Sequence, residues 1–158
     1  MHIVLGGHEV SGDPVLGVGN VLPADAWTIL SEDRSSQLID VRTTAEWGFV
    51  GVPDLSGLGR DPLFVEWAAF PDMSANPRFV AEVHDALSGQ WPETLMFICR
   101  SGVRSRYAAE AVAEALVPTG ASTRCINVAE GFEGDLDLDN HRGRLNGWKA
   151  RGLAWRQS

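Results

Sequence analysis

The chain has 158 residues, 44% of them hydrophobic, which suits one compact domain with a core of its own. A net charge of -8 excludes a function built on polyanion affinity, because phosphate backbones are held by basic patches. Two cysteines, Cys99 and Cys125, make no disulfide framework for a domain of this size, and the opening "MHIVLGGHEVSGDPVLGVGN" reads neither as a signal peptide nor as a membrane span. The expected setting is therefore the cytoplasm, with reduced thiols and no nucleic-acid or membrane partner.

Residues 1–18 read as a loosely held lead-in, and residues 19–158 as a single domain that includes a C-terminal tail, 132–158. "GNVLP" suits a short strand, and the following helix "PADAWTILSED" places Pro23 in its first turn, where a missing N–H costs nothing. A strand is expected from Gln37 to Val41, then one short helical turn, "TTAEWGFV", capped by Thr43 or Thr44. A long loop with Gly, Pro and Asp runs from Gly51 to Pro62 and leads into the strand "LFVEW". Asn76 and Pro77 suit the cap and first position of the helix "RFVAEVHDAL", whose Phe79, Val80, Val83, Ala86 and Leu87 share one face.

"TLMFIC" is apolar throughout, as expected of a strand buried on both faces. The helix "VRSRYAAEAVAEAL" follows, with a stripe of Val103, Tyr107, Ala111 and Ala115 widened by Ala108, Val112 and Leu116. "RCINV" is the last strand, and Trp148 and Trp155 are expected to anchor the tail along the sheet edge. Strands alternating with helices over short connections imply an α/β domain with a mainly parallel sheet.

In such sheets ligands bind beyond the carboxyl ends of the strands, and Cys99 stands there. The loop "RSGVRS" follows it, with Gly102 to ease a tight turn and a helix starting near Val103 or Arg104. The free N–H groups and dipole of that helix point back at the sulfur, with Arg100 and Arg104 beside it, and Arg106 too if it turns inward. Such surroundings favour the thiolate, the nucleophilic form. A lone cysteine at a strand end is more often an inert small hydrophobe. Cys125 fits that description, with no glycine turn after it, whereas three arginines beside an inert thiol would serve nothing.

"CRSGVRS", after a buried strand and before a helix, resembles the active-site loop of the rhodanese-like sulfurtransferases. Upstream, "IDVRTTAEW" is similar to the same family's D-V-R-x-x-x-E-aromatic signature, so the resemblance spans roughly Gly19 to Gly131. The closing "EGFEGD" and "NGWKARGLAWRQ" look like the ending of a bacterial single-domain branch. Where many members carry Gly-His-Ile-x-Gly after the acidic-aromatic pair, this chain has "GFVGVPDLSG", which leaves donor and acceptor open.

The resemblance implies a three-layer α/β/α domain with a five-stranded, mainly parallel sheet in the order 3-2-4-5-1. It implies sulfane-sulfur transfer from a donor such as thiosulfate to a thiophilic acceptor, cyanide or a thiol, through a persulfide on Cys99. The substrate-binding loop would be Arg100, Ser101, Gly102, Val103, Arg104 and Ser105, its amide hydrogens around the outer sulfur and its arginines steering anions. Asp40 and Arg42 are expected in support, with the structural role favoured for Asp40, and Glu46 and Trp47 as an ion-pair partner and a core aromatic. No cofactor or metal is required.

Two other classes stay open. One is a persulfide relay serving a specific protein acceptor. The other is a cysteine phosphatase or arsenate reductase, but those enzymes place an arginine six positions after the cysteine. Here that position is Ser105, the arginine comes one earlier as Arg104, and neither Asp61 nor Asp72 sits in an acid-loop motif. "DLDLDN" fails as a calcium loop because Asn140 and Asn146 stand where Gly and Glu are needed. His2, His8, His84 and His141 lack metal-ligand spacing, and His141 is expected at the surface.

Overall fold

A computed structural model of the chain describes residues 2–5, 8–15 and 18–158, with side chains from Val18 onward. In chain order the elements are β1 (His2–Leu5), β2 (His8–Val15), β3 (Val18–Val21), α1 (Pro23–Glu32), β4 (Ser36–Asp40), α2 (Thr44–Phe49), β5 (Val52–Pro53), β6 (Leu63–Phe64), β7 (Ala68–Ala69), β8 (Ser74–Ala75), α3 (Phe79–Ala86), β9 (Thr94–Ile98), α4 (Val103–Leu116), β10 (Arg124–Val128) and β11 (Trp155–Arg156).

Five parallel strands run side by side as β3, β10, β9, β4 and β6, which is the expected 3-2-4-5-1 order read from the far edge. Two antiparallel strands, β1 and β2, extend the sheet beyond β3. They occupy the stretch that the sequence suggested as a lead-in, where Gly-rich composition hides the strand pattern.

β9 lies at the centre and is buried along its whole length. Alternation along the strands sends their side chains into two cores. Ile39, Leu95, Phe97 and Cys125 pack with α3 and α4, while Leu38, Met96, Ile98 and Ile126 pack with α1 and with Phe132 and Trp148. Helices and tail thus cover both faces of the sheet, giving the three layers.

Several elements depart from the expected limits. β6 holds two residues rather than the five of "LFVEW", although Val65 N–H still donates to Asp40 O and Trp67 N–H to Val41 O. α3 starts at Phe79: Asn76 Oδ1 accepts from Arg78 N–H in a turn one step ahead of the helix. In α4 the buried face is Ser105, Ala108, Ala109, Val112 and Leu116, while Val103 and Tyr107 are exposed. Rotating the expected stripe this way brings Ser105 against the sheet; hydrophobicity alone does not reveal it.

The tail does not follow the edge of the main sheet. It doubles back, so that β11 pairs antiparallel with β5. Trp148 is fully buried against Trp27, and its Nε1–H donates to Ala154 O at 2.8 Å. Trp155 stays partly exposed, its ring 3.8 Å from Lys149 Nζ and edge-on to Phe132.

Candidate active site

Cys99 follows β9 directly and is 1% exposed. Its stem joins the core against α4, but its sulfur meets polar groups: Gly102 N–H donates to Sγ at 3.1 Å, and Ser105 Oγ lies 3.1 Å away. Gly102 caps α4 at φ +109°, a backbone region that L side chains rarely adopt. That turn aims the first N–H groups of a 14-residue helix at the sulfur, where both the unpaired donors and the dipole favour negative charge.

The chain after β10 holds this loop from behind. Phe132 N–H donates to Cys99 O at 2.8 Å, and Glu133 and Gly134 N–H both donate to Arg100 O. With the Cys99 and Arg100 carbonyls held on that side, Gly102 N–H is the loop amide that meets Sγ. The approach is so close that a Cβ on Gly131 would stand 2.5 Å from Arg100 C. A second layer backs the first, since Trp148 N–H donates to Gly131 O and Lys149 N–H to Phe132 O. The tail therefore braces the cysteine loop.

Asp40 and Arg42 form a fully buried ion pair at 2.6 Å. Asp40 Oδ1 also accepts Arg42 N–H, and Arg42 Nη2 donates to Gly51 O, with the guanidinium 4.3 Å over the Phe132 ring. The pair ties the end of β4 to the segment that clamps the loop. Arg42 Nη1 has no partner among the described residues.

Thr43 caps α2 in a reciprocal capping box with Glu46. Glu46 then grips Arg104 with both oxygens, at 2.7 and 3.0 Å. Burial alone would raise the Glu46 carboxyl, but Arg104 and Thr43 together hold it below the ordinary glutamate value. Burial likewise opposes the charge on Arg104, and Glu46, helped by Cys99 and Asp40, holds it above the ordinary arginine value. Arg104 is thus paired with Glu46 and carries its charge on the groove side of the loop.

Arg106 does not turn inward; it pairs along the helix with Glu110 at 3.3 Å. Trp47 is half-buried, edge-on to Phe64 at 5.1 Å. His141 is exposed on a turn organised by Asp137, whose Oδ1 accepts the N–H groups of Asp139 and His141. Among the described residues no cluster of His, Cys, Asp and Glu has the arrangement of a metal site.

A groove of about 750 Å³ opens beside the loop, between α2 and the tail. Arg100, Arg104 and Arg142 bring charge to it, and Phe49, Phe70, Met73 and Leu136 line it with exposed apolar surface. Asn20 and Asn127 escape a motif-based reading. Asn127, 4% exposed, accepts the Ser105 hydroxyl on Oδ1 at 2.5 Å and donates from Nδ2 to Asn20 Oδ1 at 2.9 Å. The available signal was a polar side chain inside the otherwise apolar "CINV".

Comparisons with known proteins agree with this fold. The chain is 47% identical to the protein in the crystal structure of Rv0390 from M. tuberculosis, with a TM-score of 0.75 over 88% of this chain and 97% of that one. The solution structure of the polysulfide-sulfur transferase homodimer from Wolinella succinogenes, 19% identical, shares the fold at a TM-score of 0.52 over 88% of this chain and 78% of that one. Uncharacterized proteins of Rickettsia rickettsii and Rickettsia conorii are each 30% identical over 140 residues, covering 89% of this chain and 98% of theirs. No family model matches the chain. The chain belongs to the rhodanese-like domain family. None of the helices among its described residues is long and apolar enough to cross a membrane.

Proposed function

We propose that the protein is a sulfurtransferase that carries a sulfane sulfur on Cys99. The observation that supports this best is the placement of Cys99 Sγ, 3.1 Å from Gly102 N–H and at the N-terminus of α4, with the carbonyls of Cys99 and Arg100 tied back. In the first step the Cys99 thiolate attacks the outer sulfur of thiosulfate, a new S–S bond forms, and sulfite leaves with the electron pair of the old one. In the second, cyanide or a thiolate attacks the outer sulfur and Cys99 returns as the thiolate. Amide hydrogens from Arg100 to Ser105 stabilise the charge on the outer sulfur, as donors do in an oxyanion hole.

Intact mass tests this. Thiosulfate should add the mass of one sulfur, cyanide should remove it, and Cys99→Ser should never gain it. No gain in the wild type, alongside turnover of an aryl phosphate or arsenate, would overturn the proposal in favour of a phosphatase or reductase.

The groove favours a second reading within the same chemistry, in which Cys99 relays sulfur to a protein thiol. A cleft of about 750 Å³ walled by Phe49, Phe70, Met73 and Leu136 suits something larger and more apolar than an inorganic anion. On this reading transfer from loaded Cys99 to a protein cysteine flanked by apolar side chains outruns cyanolysis. Phe49→Ser with Leu136→Ser should slow that transfer while leaving sulfur uptake from thiosulfate intact. Equal slowing of both would count against the relay.

A further inference from the structure

Behind Cys99 lies a buried polar chain that, with Cys99 ionised, has one hydrogen for two acceptors. Ser105 owns a single hydroxyl hydrogen. Its oxygen lies 3.1 Å from Cys99 Sγ and 2.5 Å from Asn127 Oδ1. The direction of Asn127 is set by its own amide, which donates to Asn20 Oδ1 at 2.9 Å and so turns Oδ1 toward Ser105. Ser105 is fully buried and Asn127 is 4% exposed, so bulk water does not supply a substitute donor. An ionised Cys99 needs that hydrogen. Once Sγ carries an outer sulfur, the negative charge sits one atom away, and Sγ is left a weak acceptor.

We infer that Ser105, Asn127 and Asn20 form a one-hydrogen switch that biases Cys99 toward its sulfur-loaded state. The inference rests on the reading of Cys99 as a sulfur carrier. In the empty thiolate the Ser105 hydrogen points at Sγ, and Asn127 Oδ1 goes without. When the thiolate takes the outer sulfur of thiosulfate and sulfite departs with its electron pair, the hydroxyl rotates back to Asn127. No proton is transferred; one O–H bond changes direction. Ser105 touches the reacting sulfur, whereas Asn127 and Asn20 act through it as positioning residues. By competing for the hydrogen, Asn127 disfavours the empty thiolate and pulls the exchange toward persulfide.

The test is an equilibrium. The full chain is mixed with thiosulfate and sulfite in graded ratios, at a pH where the alkylation rate of Cys99 has reached its plateau, and the loaded fraction is read by intact mass. Asn127→Ala should need about three- to tenfold more thiosulfate relative to sulfite for half-loading, the effect of one net hydrogen bond. Asn20→Ala, which frees Asn127 to turn, should shift the ratio the same way by less, and it carries the test if Asn127→Ala does not fold. In a Ser105→Ala background neither substitution should shift it further, since no hydrogen remains to compete for. An unchanged ratio in the folded variants, or an equal shift with and without Ser105, overturns the switch alone. A wild type that never gains sulfur overturns the switch and the sulfurtransferase reading together.

Discussion

Cys99 and Cys125 lie in the same core cluster, 1% and 2% exposed, on neighbouring strands of one sheet. Burial does not distinguish them. What differs is the polar company of each sulfur: Cys99 Sγ meets Gly102 N–H and Ser105 Oγ at the mouth of a helix, whereas Cys125 sits within β10. Burial pushes the Cys125 thiol up to about 12. The lesson is that donors arranged around a buried sulfur, and not its access to bulk water, separate a candidate nucleophile from a core residue.

The sharpest way to break this comparison is substitution. Cys99→Ser should abolish sulfur loading by intact mass, and Cys125→Val should leave it whole; loading that persists without Cys99 would void the distinction. Next in size is Gly131→Ala. Its φ of +69° and the 2.5 Å approach to Arg100 C force the clamp off the loop. Sulfur uptake should fall roughly 100-fold, the scale of a displacement of about 1 Å at a reacting centre. Thermal melting should show a loss of about 1–3 kcal/mol.

Alkaline unfolding sharpens the Cys125 side. Its thiol titrates near 9.0 when unfolded and about 12 when folded, so the unfolded chain gives up the proton first. The stability this neutral thiol contributes is complete below 9.0 and is lost as pH rises toward 12. The unfolding free energy from denaturant curves should therefore fall over that window by about 1.4 kcal/mol per pH unit, and Cys125→Val should flatten the fall.

The smallest expected effect lies at the pair beside Cys99. Glu46 titrates lower folded than unfolded, so its contribution is full above the ordinary glutamate value of 4.5 and disappears as pH drops through the depressed folded value. Glu46→Gln should cost about 1 kcal/mol at neutral pH, in line with a partly exposed ion pair, and remove that acid-side slope. An unchanged acid limb in this variant would show that Arg104 is held by other contacts.

The place of Cys99 at a strand end was legible in the chain for local reasons, whereas the order of the five parallel strands came from the family resemblance. "TLMFIC" is apolar enough to be a central strand, and "RSG" cannot continue it, so the cysteine had to stand at a strand end. The paired signature at Asp40, Arg42 and Glu46 was legible as a pattern, but not the partners it takes. Arg104 looked like a free cation because Glu46 lies 58 positions away. The helix face was misjudged by its hydrophobic count because Ser105 turns inward for a hydrogen bond, at the expense of Val103 and Tyr107 outside.

Sequence alone determined what depends on near neighbours: an apolar run, a glycine at a tight turn, a proline at a helix start, and a thiol between them. Tertiary structure alone decided which distant groups meet that thiol. Asn20 and Asn127 stand 107 positions apart, and Phe132 and Glu133 reach the loop from a tail with no hydrophobic period of its own. Backbone preference acts over a few residues, whereas the hydrogen bonds that orient Cys99 form only once the sheet has brought β3, β9 and β10 side by side.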